Sequence, residues 1–201
     1  MEKGLILPIF YLPPIPYFSL FLAASGNVQI EKNEHFPKQT YRNRASIHSP
    51  NGVLDLIVPV VKGSKVHTAV KDVRISYESN WQRLHWMSLQ TSYRRSAYFE
   101  YYEDDFAPLY EKKPTFLFDW NETFFKLLLK LLKINGNYQY TDSYEPQTPD
   151  YRQLIHPKVL PPIPSIKPYF QVFEPRNGFI PHLSIVDLLF NQGPAAASFL
   201  K

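Results

Sequence analysis

Leu5-Ile6-Leu7-Pro8-Ile9-Phe10-Tyr11-Leu12-Pro13-Pro14-Ile15-Pro16-Tyr17-Phe18 is the stretch from which the fold can be read. The run from Leu5 to Tyr11 is almost wholly apolar and has the length of a strand buried on both faces. Pro13-Pro14 breaks it into a loop, and Pro16, with its fixed φ, suits the first turn of a helix reaching about Ala24. Gly26-Asn27 stops that helix, and Val28-Gln29-Ile30 alternates as a short strand. The order strand, loop, helix, strand predicts a right-handed parallel unit and so an α/β fold with a small mixed sheet flanked by helices.

The same residues imitate a secretory signal, with Glu2 and Lys3 before an apolar run and Ala23-Ala24-Ser25 after it. Pro8, Pro13, Pro14 and Pro16 each remove a helix donor, so a continuous signal or membrane-spanning helix is not expected. The expectation is a cytoplasmic protein without a membrane span.

Downstream, an Asn51-Gly52 turn precedes the apolar, β-branched run Val53 to Val61, and Val73-Arg74-Ile75-Ser76 offers another strand, so residues 1–80 read as strand-rich. Residues 81–134 read as helical. Asn80 is placed to cap a helix through Arg94, Ser96 a second through Tyr110, and Asp119 with Glu122 a capping box before a run to Ile134. In that last helix Lys126, Lys130 and Lys133 form one narrow polar stripe and apolar residues cover the rest, as in a central core helix. From residue 135 onward proline recurs too often for a long helix, while many Tyr and Phe side chains predict an extended wrap over the core instead of a free linker. Ser184 then caps a short helix ended by Gly193-Pro194.

A chain of 201 residues suffices for a single domain, residues 1–201, and 44% hydrophobic content with 16% aromatic residues excludes a disordered chain. The net charge of +4 is spread among 18 acidic residues, which permits an anionic ligand and makes nucleic acid an unfavoured partner. The absence of Cys excludes disulfides and a thiol nucleophile. The six His show no helical His-x-x-x-His spacing, so no metal is expected, and no cofactor motif is present.

Several blocks in order carry a resemblance: Leu12-Pro13 through Tyr17-Phe18, Lys38-Gln39-Thr40-Tyr41-Arg42-Asn43-Arg44, Asn51-Gly52 with Val58-Pro59-Val60, and Asn80-Trp81 through His85-Trp86. They resemble the WbqC-like protein family. Phe99-Glu100-Tyr101-Tyr102 and Asn177-Gly178-Phe179 through Asn191 are similar to the branch of that family common in Bacteroidetes. Many members carry His-Gln-Pro before the Tyr-Leu-Pro element, whereas Ile6-Leu7-Pro8 stands here, so an imidazole is missing and a base role would pass to another residue such as His85. The resemblance implies modification of an amino sugar for surface polysaccharide of the O-antigen type.

The residues offer four candidate constellations. Lys38, Thr40, Arg42 and Arg44 share parity and would present three cations on one face of an extended segment, with Asn43 beside them, suited to a nucleotide-sugar or an acyl carrier. The alternative is a strand face paired with Glu31 or Glu34 across a turn. His85 recurs with Trp81, Ser88 and Ser92 on one helix face, as a general base or as a core histidine bonded to main chain. Tyr11 and Tyr17 flank the proline loop at the carboxyl edge of the first strand, where open α/β sheets bind ligands; a rigid loop that only aims the helix is the alternative. Asn177 and Asp187 could close over a site, or serve as a turn and a cap. The functional expectation is a transferase of acyl or aminoacyl groups, with a non-catalytic binding or assembly protein for an anionic partner as the alternative.

Overall fold

The computed structural model describes residues 4–61, 68–144, 146, 150–158 and 166–201. Its seed is the predicted parallel unit. Strand β1 (Leu5–Pro8) pairs in parallel with β2 (Val28–Glu31), and helix α1 (Ile15–Ala23) connects them. The Pro14-Ile15-Pro16 entry places proline in the first helical turn, where a missing N–H costs nothing. Ser25 and Gly26 then reverse the chain with positive φ. The third strand, β5 (Gln139–Tyr140), pairs in parallel with β2, giving the order β1-β2-β5. All three carboxyl ends therefore lie at one edge of the sheet.

Strands β3 (Arg44–Ser49) and β4 (Gly52–Ile57) form a separate antiparallel hairpin in which Ser49 faces Gly52 across the Pro50-Asn51 turn. Gly52 adopts φ +99°, a conformation that favours glycine. The strand expected at Val73–Ser76 is only bridged, Val60 to Ile75 and Arg74 to Phe116. Its N–H groups and carbonyls bond on both sides, but to segments too short to extend a ladder, such as Ser76 N–H to Pro59 O at 2.9 Å.

Helices α2 (Trp81–Tyr93), α3 (Phe99–Glu111) and α4 (Leu117–Leu131) follow, close to the expected spans. The start of α4 differs: Phe116 occupies the cap position without a side-chain bond, and Asp119 lies inside the first turn instead of capping. Lys126 and Lys130 are exposed, pairing with Glu122 and Asp105, while Phe124, Phe125, Leu128 and Leu129 are buried. These residues join Phe10, Tyr17, Phe18 and Phe21 in one aromatic-rich core.

Among the described residues the wrap has two single-turn helices, α5 (Tyr151–Leu154) and α6 (Glu174–Asn177), the second with Pro175 in its first turn, where proline is tolerated. Helix α7 (Ile185–Gln192) begins at Ser184, whose hydroxyl accepts from Val186 N–H, and continues past Gly193 as a 3-10 turn to Leu200. A side chain at Gly193 would collide with the Tyr98 ring. Segment 183–185 seals the proline loop: Ile15 N–H donates to Leu183 O at 2.9 Å, Ile185 N–H to Pro13 O at 2.8 Å, and the Ser184 hydroxyl to Leu12 O at 2.8 Å. Among the described residues no helix is long and apolar enough to cross a membrane.

Candidate functional site

The segments that leave β2 and β5 at their carboxyl ends enclose a cleft of about 700 Å³. One wall is drawn from residues between Asn33 and Arg42, and the other from Tyr144, Asp150, Arg152, Gln153 and His156. The end of a parallel sheet is where α/β folds leave room for a ligand, and the volume lies within the range of roughly 300 to 1,000 Å³ usual for small-molecule sites.

Charges withdrawn from water build the floor. Glu31, the last residue of β2, is fully buried; its Oε1 accepts from Asn33 N–H at 2.6 Å and from the Thr141 hydroxyl at 3.0 Å, tying the ends of β2 and β5 together. Its Oε2 lies 3.8 Å from Arg152 Nη1. Glu34 takes a two-pronged bond from Arg42, Nε to Oε1 at 2.7 Å and Nη2 to Oε2 at 2.8 Å. Burial raises the Glu34 pKa, with Arg42 pulling the other way. Such a fork satisfies both oxygens and both donors, without which burying either charge would be costly. Phe10 covers the Arg42 guanidinium at 5.5 Å, and Asn121 of α4 donates to the Arg42 carbonyl at 2.7 Å.

Arg152, in α5, is held by Asp150: Nε to Oδ1 at 2.7 Å and Nη2 to Oδ2 at 3.1 Å, with the Arg152 N–H on Oδ1 at 3.1 Å as the helix cap. Tyr144 lies 4.8 Å from the guanidinium. Burial works against the charge of Arg152, but Asp150, Tyr144 and Glu34 outweigh it and raise its pKa. His156 is pushed down by burial and then by Lys158, Arg42 and Arg44, which favours the neutral imidazole. Among the described residues no group of three or more His, Asp or Glu is arranged to hold a metal.

The predicted residues separate into four places. Lys38, exposed, and Arg42 reach the cleft. The premise that grouped them with Arg44 is corrected: residues 38–43 form turns, with Gln39 at φ +59°, so parity does not define a face. Arg44 instead pairs with Asp55 at 3.3 Å on the hairpin, and the Asn43 amide donates to Val58 O at 3.0 Å.

His85 and Tyr11 meet in the core. The Tyr11 hydroxyl lies 3.0 Å from His85 Nδ1 and 2.8 Å from the Tyr110 hydroxyl. Burial pushes the His85 pKa down to about 4, and a hydrogen bond to the Ile57 backbone opposes it only partly. His85 Nδ1, the Tyr11 hydroxyl and the Tyr110 hydroxyl thus form one buried hydrogen-bonded chain. This arrangement has the form of the core histidine bonded to main chain, and His85 is not part of the cleft wall. Tyr17 is also buried and donates to Pro8 O at 2.9 Å.

Asp187, fully buried, and Asn177, half-buried, lie elsewhere. Asp187 accepts from Tyr93 at 2.8 Å, Tyr169 at 2.6 Å and Gln171 at 3.1 Å. Burial raises its pKa to about 6 despite those bonds. Asn177 lies 3.2 Å from His48 Nε2 and donates to Ser49 O at 3.2 Å. These bonds fasten the wrap to the hairpin and to α2.

Asn121, Arg152 and Asp150 were not singled out from the sequence. Only the motif Asp150-Tyr151-Arg152, an acid two residues before a base at a possible helix start, could have drawn attention to the last two.

Comparison with known proteins supplies the kinship. A protein of Mycobacterium tuberculosis, described only as uncharacterized, is 25% identical over 229 aligned positions that span all of this chain and 98% of the relative. No solved structure matches. The WbqC-like protein family matches residues 10–157, which include both walls of the cleft, and the chain therefore belongs to the WbqC-like protein family.

Proposed function

We propose that the cleft binds an anionic amino-sugar derivative, such as a nucleotide-sugar, and that the protein transfers an acyl or aminoacyl group to its amine during assembly of surface polysaccharide in the cytoplasm. The observation that carries this reading is the cleft at the carboxyl ends of parallel strands, walled by forked guanidinium and carboxylate groups. A guanidinium donates paired hydrogen bonds to a phosphate or carboxylate, and a carboxylate accepts them from sugar hydroxyls. Lys38 at the rim adds a mobile cation. Acyl transfer forms an amide bond as the bond between the acyl carbon and its carrier breaks, with the amine proton passing through an acceptor to the departing carrier, and the cleft offers His35 and His156 together with the Glu34 and Asp150 carboxylates as that acceptor.

One observation favours the second reading, a binding or assembly protein. The buried cleft charges Glu34, Arg42 and Arg152 already face an opposite charge, an arrangement that recognises a ligand without any reaction. A thermal-shift screen against nucleotide-sugars, acyl carriers and simple phosphates tests both, because a ligand selective for the folded state raises stability. The transferase reading expects a nucleotide-sugar response that weakens in Lys38→Ala, followed by turnover with an acyl donor that falls in His156→Gln while affinity is kept. Binding without turnover across donors would leave the assembly reading.

A further inference from the structure

The two guanidinium forks of the cleft are occupied in different ways. Arg42 and Glu34 are both nearly sealed, their side chains 1% and 8% exposed, and Glu34 comes from a different turn of the chain, so their pair is part of the floor. In the other pair Arg152 is equally withdrawn at 4%, but Asp150, which also lines the cleft, is 24% exposed. Arg152 keeps further neighbours if Asp150 turns away: Glu31 at 3.8 Å and the Tyr144 ring at 4.8 Å. Asp150 also caps α5, accepting the Arg152 N–H at Oδ1, the oxygen that takes Nε as well, while Nη2 donates to Oδ2, so the cap needs Oδ1 but not the charge or the second oxygen.

We propose that Asp150 is an internal stand-in for the ligand's anionic group, occupying the Arg152 fork in the empty cleft and yielding it to a phosphate or carboxylate when ligand enters. The proposal rests on the reading that the cleft takes an anion. The exchange keeps Arg152 paired throughout, so the desolvation cost of a bare buried guanidinium never arises. It also makes Asp150 a determinant of specificity. A neutral sugar cannot replace the charge that Asp150 supplies, whereas an oxyanion presenting two oxygens reproduces the same forked geometry. Asp150 thereby sets a threshold on charge as well as on shape.

Asp150→Asn tests this, because Asn retains the capping oxygen but not the competing charge; Asp150→Ser, also a capping residue, serves if the first variant folds poorly. With inorganic pyrophosphate as probe in calorimetry, the stand-in predicts affinity higher by about tenfold, or about 1.4 kcal/mol. Asp142→Asn, at an exposed site outside the cleft wall, controls for general charge and should change affinity less than about twofold. Adding Arg152→Lys to Asp150→Asn should erase the gain, since an ammonium cannot form the fork. Unchanged or weaker pyrophosphate binding in folded Asp150→Asn overturns the proposal. If that variant gains pyrophosphate affinity while no nucleotide-sugar binds either protein, the stand-in survives and the nucleotide-sugar reading fails. If a nucleotide-sugar binds both proteins equally, the reverse holds.

Discussion

Arg42 and Asp187 are both ionisable groups withdrawn from water, yet their surroundings solve the problem in opposite ways. Arg42 meets a full opposite charge on Glu34, and the pair borders a cleft. Asp187 meets neutral donors, two phenols and an amide, deep beneath the wrap. An ion pair binds its partners tightly only while both are present, whereas hydroxyl donors leave the carboxylate only partly compensated and its pKa high. Burial raises the carboxyl in both places, but in the cleft the full charge of Arg42 pulls Glu34 back, whereas under the wrap neutral donors leave Asp187 pushed up to about 6.

Removing one partner should separate the two regions most clearly. Arg42→Ala strands Glu34 in a buried site and is expected to cost about 3 to 5 kcal/mol in urea denaturation. Arg42→Met combined with Glu34→Leu should recover most of that loss; if it does not, the pair contributes more than mutual neutralisation. Asp187→Ala leaves the Tyr93 and Tyr169 hydroxyls without the carboxylate they donate to, while Gln171 keeps the Ile180 carbonyl, and is expected to cost about 3 kcal/mol, with the wrap becoming open to proteolysis first.

The pH response sharpens the contrast. Asp187 ionises near pH 6 in the folded protein and near 3.8 when unfolded, so between those values the folded state binds the extra proton. Stability contributed by this group is therefore greatest at low pH and is lost as pH rises from about 4 to about 6. Asp187→Asn should abolish that slope, and the difference in unfolding free energy between the two proteins should be level above about pH 7. Arg42→Met should leave it in place.

Smaller effects follow from the remaining candidates. His85→Gln breaks the Tyr110–Tyr11–His85 chain and should cost about 1 to 2 kcal/mol while leaving ligand affinity in the cleft intact. Lys38→Ala, at an exposed site, should change stability by less than about 0.5 kcal/mol and be visible only in ligand titrations.

The elements legible in the sequence are those with local signals. The proline loop and apolar run define β1 and α1, Gly26-Asn27 ends the first unit, and Ser184 with Gly193 brackets α7. Strand β3 was hidden because Arg-Ala-Ser-Ile-His-Ser carries little apolar weight, and its pairing is imposed by the turn and by β4. Two-residue β5 gains its strand character solely from β2. The cleft was half legible for the same reason. Arg42 and the alternative of a Glu34 partner could be read from a cluster of nearby charges, but Arg152 meets Glu31 only after more than a hundred intervening residues have folded. The extended backbone assumed for residues 38–44 also gave way to turns, which carry Arg44 off to Asp55.

The seal between the proline loop and segment 183–185 has a consequence for the order of assembly. The Leu12 carbonyl and the Ser184 hydroxyl that bonds it are 172 positions apart, and the sealing segment lies beyond the stretch shared with the family. At a synthesis rate of roughly 5 to 20 residues per second, the loop would wait about 10 to 30 s for its partner. During that interval Leu12 and Ile15, both fully buried at the end, stand open on the nascent chain. The proline loop is thus closed long after it is made, and chaperone occupancy of this part of the nascent chain should end only once segment 183–185 has left the ribosome.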